Sequence, residues 1–489
     1  SLRVVVNVAP DDAFGRGAAH DAATQALKRL LPHSTLNLYH KIEGEKALVS
    51  LAERCLGCGR EWRLAAPEIA YILGDTGAKL LFIDEGFAGL AAKACGDMEN
   101  PPKVIDTPTA QSGIAVAPAD GFEGAGPDDP VLQLYTSGTT GNPKGVLYSH
   151  RSNVLHTFIT MGVDTLGMGA ADVVLPVVPM FHANAWGLAF ACPATGAKLV
   201  MPGADMSGAA IYELLDKEKV TITAAVPTVW LLLLTYLEEN KLKLPHLRKV
   251  VIGGSAVPER ILRAFEENYD VEVFHAWGMT ELSPLGTLGA LPAHLVDAPH
   301  EEQMAYKLTQ GRPPFGVELK ILDDDDNELP RDGKKSGRLV CRGPAISSAY
   351  FKGDGGRVLD ENGFFDTGDV ATLDEHSTMQ ITDRAKDVIK SGGEWINPTE
   401  IETLVSELPE VALAAVIGRP HPKWGERPVL IVEVRTGHEV SDEALLLGLK
   451  GRVPPWWVPD DILRVEAMPL AATGKIDKFK LRELCTEVA

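Results

Sequence analysis

The sequence predicts an α/β fold: a large N-terminal body of several subdomains, with mostly parallel sheets and crossover helices, followed by a small, mobile α/β C-terminal domain. Three observations lead there. At 489 residues the chain exceeds one compact core. Between Pro67 and Tyr269 short apolar runs alternate with stretches of helical spacing, the pattern of parallel strands joined by crossover helices. Past Gly311 the texture turns to short, turn-rich β segments, and after Arg384 comes a tail short enough for a separate small domain. The expected division is 1–383 and 384–489.

The first α/β unit is "PEIAYILGDTGAKLLFID" (Pro67 to Asp84), a helix, a turn at Gly77 and a buried strand. Strands are expected in "DVVLPVVP" (Asp172 to Pro179), "AKLVMP" (Ala197 to Pro202), "TITAAVP" (Thr221 to Pro227), "RKVVIGGS" (Arg248 to Ser255) and "VEVFHAWG" (Val271 to Gly278). Helical stretches such as "GAAIYELLDKEK" and "PERILRAFEENY" lie between them. "TITAAVPTVWLLLLTYL" carries four threonines and a proline, so it reads as a strand end, a turn at Pro227 and a buried helix rather than a membrane span of about 20 apolar residues. "GVELKILDDDDNELPRDGKKSGRLVCRG" reads as two strands around a solvated acidic turn; the run Asp323 to Asp326 lacks the glycine and distal glutamate of a calcium loop. Within residues 1 to 65, only "GRGAAHDAATQALKRLLP" has the look of a helix.

Composition narrows the function. Apolar and charged residues stand at 45% and 23%, ordinary for a globular protein. A formal charge of −20 argues against a nucleic-acid partner, which needs clustered cations. The N-terminus lacks the basic flank and apolar core of a secretory signal, so a cytoplasmic enzyme without a transmembrane segment is expected. Cys55 and Cys58 form one CxxC with no second pair to complete a zinc site, and all six cysteines are read as structural.

The stretch that carries chemistry is "YTSGTTGNPKGV", Tyr135 to Val146, placed after the strand-like "VLQLY" and before the helical "HRSNVLHTFITMG". Gly138, Gly141 and Gly145 let backbone N–H groups approach an anion, Thr136, Ser137, Thr139 and Thr140 add hydroxyls, and Lys144 adds charge. That suits a polyphosphate, although Lys144 is followed by glycine and so the loop is no Walker A motif. A plain surface linker would not explain the flanking elements.

This stretch resembles the signature of the adenylate-forming superfamily, which includes acyl-CoA synthetases, luciferases and peptide-synthetase adenylation domains. The resemblance continues in order through "GGSAVP" (Gly253 to Pro258), "AWGMTE" (Ala276 to Glu281), "DTGD" (Asp366 to Asp369), "DRAKDVIKSGGEWI" (Asp383 to Ile396) and "ATGKIDK" (Ala472 to Lys478). It implies attack of a carboxylate on the α-phosphorus of ATP, then transfer of the acyl group. By that resemblance Thr136, Ser137, Gly138, Thr139, Thr140, Gly141 and Lys144 cradle phosphates. Gly254, Ser255, Ala256 and Trp277 with Gly278 and Met279 form the adenine slot; Thr280 meets phosphate; Glu281, with Thr136, holds Mg2+; Asp369, assisted by Arg384, takes the ribose. Lys475 is the implied catalytic lysine and Lys386 the hinge whose rotation withdraws it. Ser391, Gly392, Gly393 and Trp395 then face coenzyme A, where the glycines admit a slender pantetheine arm. Read alone, Glu281 would be a surface acid, Trp277 core packing and Asp369 a turn residue.

"PMFHANAW", Pro179 to Trp186, separates branches of the superfamily. It carries no carboxylate to hold a substrate amine, which favours an unsubstituted acyl chain. His182 resembles the residue beside the reacting carboxylate and Trp186 the gate of an acyl tunnel, with Val226 and Gly253 as further walls. The branch most resembled contains medium- and long-chain fatty acyl-CoA synthetases and methylmercaptopropionate-CoA ligases. The expected function is an ATP-dependent carboxylic acid:CoA ligase. An enzyme with another acceptor, a carrier protein or oxygen, and an inactive nucleotide-binding homologue are the alternatives. Residues 1 to about 65 depart from the family's usual opening, and a homodimer is left open.

Overall fold

The computed structural model describes residues 3–4, 40–42, 45–47, 66–78, 80–83, 87–106, 127–136, 143–203, 205–323, 325–354, 356–384, 389–391, 394–435, 437–470 and 476–487. The helix expected within residues 15–32, the Cys55–Cys58 pair and most of the connection from Asp106 to Asp129 lie outside them.

The first α/β unit is present as α1 (Ala66–Thr76), β1 (Leu80–Ile83), α2 (Ala88–Gly96) and β2 (Lys103–Asp106), with β1 and β2 parallel. Next come β3 (Pro130–Tyr135), β4 (Gly145–Ser149) and α3 (His150–Met161), whose N-terminus is closed by a capping box between Ser149 and Ser152. β3 and β4 are antiparallel. The strands on either side of the glycine-rich stretch therefore pair as a hairpin, and the helix expected directly behind that stretch begins one strand later.

The central sheet contains β5 (Val173–Pro176), β6 (Lys198–Val200), β7 (Ile222–Ala225), β8 (Lys249–Gly253), β9 (Glu272–Gly278) and β10 (Leu285–Leu288). Its order is β6-β5-β7-β8-β9-β10, with the two-residue strand Arg3–Val4 outside β6. The pairs from β6 to β9 are parallel; β10 and Arg3–Val4 run antiparallel at the edges. Both faces are covered, which is why these strands read as unbroken apolar runs. Val250, Ile252 and Val273 face a core built on Trp230, Leu233, Leu237 and Phe265, whereas Val251 and Phe274 face a second core with Leu188, Ala191 and Cys192. As expected, Pro227 opens the helix Pro227–Asn240, where its fixed φ and missing N–H cost nothing.

β11 (Glu318–Leu322), β12 (Gly337–Arg342), β13 (Phe365–Leu373) and β14 (Met379–Arg384) form an antiparallel sheet, so the parallel pattern stops with the central sheet. Between β11 and β12 the acidic run is a turn in which the Asp323 carboxylate accepts from the Asp325 and Asn327 N–H groups. Beyond β14, β15 (Ile389–Ser391) and β16 (Glu394–Ile396) join β17 (Val411–His421), β18 (Gly425–Val434) and β19 (Asp461–Arg464) in a mixed sheet.

One short segment stitches the central sheet to the antiparallel one. Leu288 and Arg312 exchange backbone hydrogen bonds at 3.0 and 3.1 Å, Met379 N–H donates to Gly311 O at 2.7 Å, and Gln310 N–H donates to Met379 O at 3.1 Å. Gln310 Oε1 also accepts from Ile381 N–H at 2.6 Å. Gly311 has φ +73°, and a Cβ there would sit 2.2 Å from Leu288 O. Gly311→Ala is expected to cost at least about 3 kcal/mol, since a strained φ and a backbone clash coincide. Chemical denaturation checks this, and a loss below about 1 kcal/mol would show that the stitch can relax.

Candidate active site

Ligands in parallel α/β sheets bind beyond the strand C-terminal ends. Here that edge collects the ends of β7, β8 and β9, which deliver Val226, Gly253 to Ala256 and Trp277 to Glu281. Ser255 and Gly278 are exposed, Gly254, Ala256, Met279 and Thr280 half-buried, and Trp277 and Glu281 buried.

Trp277 is packed among Leu282 and, from the antiparallel sheet, Leu319, Leu339 and Phe365, and its Nε1–H donates to Asp369 Oδ2 at 2.9 Å. The indole is thus a core side chain and a polar anchor at once. Asp369 stands opposite Arg384 in the β13–β14 register, so the two residues expected at the ribose occupy one rung.

Glu281 is 5% exposed, and its Oε1 accepts from the Tyr350 hydroxyl at 2.6 Å. Among the described residues no cationic side chain pairs with it. A buried carboxylate without a cation is costly, and an oxygen donor of this kind suits a hard divalent ion. The Lys144 ammonium lies 4.9 Å over the Tyr350 ring, a cation–π contact. Tyr148, from the same hairpin as Lys144, donates its hydroxyl to Thr280 O at 2.5 Å. Burial, with the nearby Glu281 charge, pushes both phenols up, so each remains a donor. At the hairpin base Thr136 N–H donates to Lys144 O at 2.9 Å, Tyr135 donates to Asp75 Oδ2 at 2.6 Å, and Lys352 Nζ donates to Asp75 Oδ1 at 2.9 Å.

The apolar side of the site has an unusual backbone. Ala183, Asn184, Ala185 and Trp186 all have positive φ, between 45° and 56°, making one turn of left-handed helix. Each non-glycine residue in that conformation costs about 1–2 kcal/mol. Bonds from Trp186 N–H to His182 O (3.3 Å) and Gly187 N–H to Ala183 O (3.0 Å), with full burial of Ala183 and Ala185, offset part of this. The turn sets the His182 and Trp186 rings edge to face, centroids 6.4 Å apart. It also presses Trp186 against Gly253, where a Cβ would meet the indole at 3.2 Å and Ala276 O at 2.8 Å.

Ser137, Gly138, Thr139, Thr140, Gly141, Lys386, Gly392, Gly393 and Lys475 lie outside the described residues, as do the side chains of Arg384 and Trp395. Ser391 is buried, and its Oγ accepts from Arg427 Nη1 at 3.2 Å. Sequence reasoning did not find Tyr148, Tyr350, Asp75 or Lys352. None belongs to a motif used above, and Tyr350 is 69 residues from the carboxylate it touches. Nor did it find His156, buried on α3, whose Nε2 accepts from Leu285 N–H at 3.0 Å behind the site.

Comparison with known proteins follows the same outline. The AMP-binding enzyme family model matches residues 58–351, and the model of the AMP-binding enzyme C-terminal domain matches 400–475. A 3-methylmercaptopropionyl-CoA ligase of Ruegeria lacuscaerulensis is 45% identical over 86% of this chain and 81% of its own length. A medium-chain-fatty-acid–CoA ligase of Ectopseudomonas oleovorans is 43% identical over 86% and 80%. Among solved structures, o-succinylbenzoate CoA synthetase from Bacillus subtilis, in complex with its acyl-adenylate intermediate, superposes with a TM-score of 0.72 at 26% identity, covering 86% of this chain and 81% of that one.

Burial depresses the imidazoles of His156, to about 3, and of His275, to about 4. Between those values and the unfolded value near 6.5 the unfolded chain binds more protons, so stability must rise with pH across that window and fall as acid is added. From pH 7 to pH 5 the expected loss is on the order of 1–2 kcal/mol per histidine. Unfolding titrations at the two pH values check this, and His156→Gln should flatten the dependence.

Proposed function

We propose that this chain, which belongs to the AMP-binding enzyme family, is an ATP-dependent carboxylic acid:CoA ligase whose acid has an uncharged, unbranched tail. The acid is a medium- or long-chain fatty acid or a short thioether acid. The observation that carries this reading is the convergence, at one sheet edge, of the buried Glu281, the Trp277–Asp369 pair and the apolar wall of Trp186 on Gly253.

In the first half-reaction a carboxylate oxygen attacks the α-phosphorus of ATP, the bond to the β-phosphate oxygen breaks, and pyrophosphate leaves. Charge accumulates on phosphate oxygens, so the chain's part is to supply fixed donors and cations. The hairpin tip with Thr136 and Lys144, the Thr280 hydroxyl and Lys475 take that role. Bound Mg2+ would supply charge neutralisation at the phosphates, and Glu281, with Thr136, would hold it. Asp369 and Arg384 would orient the ribose and the Gly253 to Ala256 strand end the adenine. In the second half-reaction the CoA sulfur attacks the acyl carbonyl carbon and AMP leaves with the bonding electron pair. A boundary at 383/384 belongs to this reading; it falls one residue before the end of β14, whose Arg384 still pairs with Asp369, and the next described strands pair only within the C-terminal sheet. Rotation about Lys386 would exchange Lys475 for the Ser391 to Trp395 face.

Two relatives support the acid class. They act, by their names, on 3-methylmercaptopropionate and on medium-chain fatty acids. Among His182, Ala183, Asn184 and Ala185 there is no carboxylate to pair with a substrate amine.

Pyrophosphate release with ATP and Mg2+, measured across saturated acids from propionate to palmitate plus methylthiopropionate and aromatic acids, is expected to require CoA for turnover and to peak on aliphatic acids. Release without CoA consumption would transfer the chemistry to another acceptor. Lys475→Ala is expected to slow adenylate formation by about 100-fold or more, the scale of a lost transition-state donor, while supplied acyl-adenylate still reacts with CoA. Equal loss in both half-reactions would remove Lys475 from that role.

A further inference from the structure

We propose that Tyr350 is a positioning residue that keeps the two opposite charges of the phosphate site, Lys144 and Glu281, apart and separately engaged. This rests on the reading of Glu281 as the metal-holding carboxylate.

Tyr350 contacts both charges through different parts of one side chain. Its hydroxyl donates to Glu281 Oε1 at 2.6 Å, and its ring face receives the Lys144 ammonium, 4.9 Å from the centroid. Lys144 and Glu281 form no ion pair with each other, although both approach the same ring. A lysine and a buried carboxylate left to meet would neutralise one another, and each would then be lost to its ligand until that pair was broken. A neutral donor avoids this: it satisfies the carboxylate without cancelling its charge, and the ring holds the ammonium weakly enough to be released.

The tyrosine is itself fixed on three sides. Its backbone bridges to Val146 of the hairpin. Two residues on, Lys352 binds Asp75, which also accepts from Tyr135 at the hairpin base. Between them, Phe351 Cβ lies 3.0 Å from where a Gly145 side chain would begin. The strand that begins just after Lys144 and the segment carrying Tyr350 are therefore one clamped unit.

The test uses the full chain, Mn2+ as the metal probe, and the α,β-methylene analogue of ATP, which cannot release pyrophosphate. Mn2+ affinity of the nucleotide complex is read by electron paramagnetic resonance, and analogue affinity in EDTA by calorimetry. Tyr350→Phe, which keeps the ring and drops the hydroxyl, is expected to weaken Mn2+ about tenfold, the scale of a hydrogen bond to a charged group, with analogue affinity in EDTA within about twofold. Tyr350→Leu should weaken both, because Lys144 then collapses toward Glu281. Parent-like Mn2+ affinity in Tyr350→Phe overturns the proposal, provided that Glu281→Gln loses Mn2+. If Glu281→Gln also keeps parent-like affinity, the metal role of Glu281 has failed, and the proposal with it. Circular dichroism of each variant confirms that it is folded, and Tyr350→Phe, the isosteric change, decides the matter if Tyr350→Leu is not.

Discussion

The hydrogen bond from the Trp277 indole to Asp369 spans two sheets that have no strand in common, and the rest of the site depends on its being held. A 2.9 Å contact between buried partners tolerates little relative movement of the sheets. What prevents that movement is the Gln310 to Arg312 stitch, which bonds to β10 on one side and β14 on the other. Because Asp369 and Arg384 share a rung, fixing β14 also fixes both. The polar half of the site is thus positioned by backbone hydrogen bonds remote from any ligand.

A second constraint is electrostatic. A carboxylate 5% exposed and without a cationic partner among the described residues is costly to the fold. Tyr350 lowers that cost without removing the charge, and Lys144 is parked on the same ring rather than on the acid. Charge held inside a low-dielectric site interacts strongly with a polyphosphate and its metal.

Much of the fold was legible because its strands are buried on both faces and read as unbroken apolar runs from Val173 to Gly278, and Pro227 marks a helix start by its own stereochemistry. The hairpin was not: β4 is five residues, "GVLYS", too short and mixed to separate from the helix behind it. The antiparallel sheet was legible in texture, but its stitch was not, since nothing local in "TQGRPP" announces a partner near Met379. In the candidate site, the motif residues that are described gather at one sheet edge, and Tyr350, Tyr148 and Asp75, which touch them or their hairpin, were not named from the sequence. Their importance comes from tertiary proximity alone, and a tyrosine in "SSAYFKG" carries no local signature of the carboxylate it contacts.

The two walls of the apolar side differ in stiffness, and this bears on how acid selectivity would arise. Gly253 and Ala276 are paired residues of adjoining parallel strands, held by ladder hydrogen bonds with both faces of the sheet packed. Trp186 instead ends a left-handed turn whose four residues each carry backbone strain, and Asn184 within it buries an amide with no described partner. The turn carries strained backbone and an unsatisfied buried amide, whereas the strand ends carry a complete ladder, so the turn is the less firmly held wall. On the proposed reading, the strand ends fix the bottom of the acyl site and the turn adjusts its length. Discrimination between acids would then be carried by the Trp186 side and be worth only about 1–3 kcal/mol per methylene.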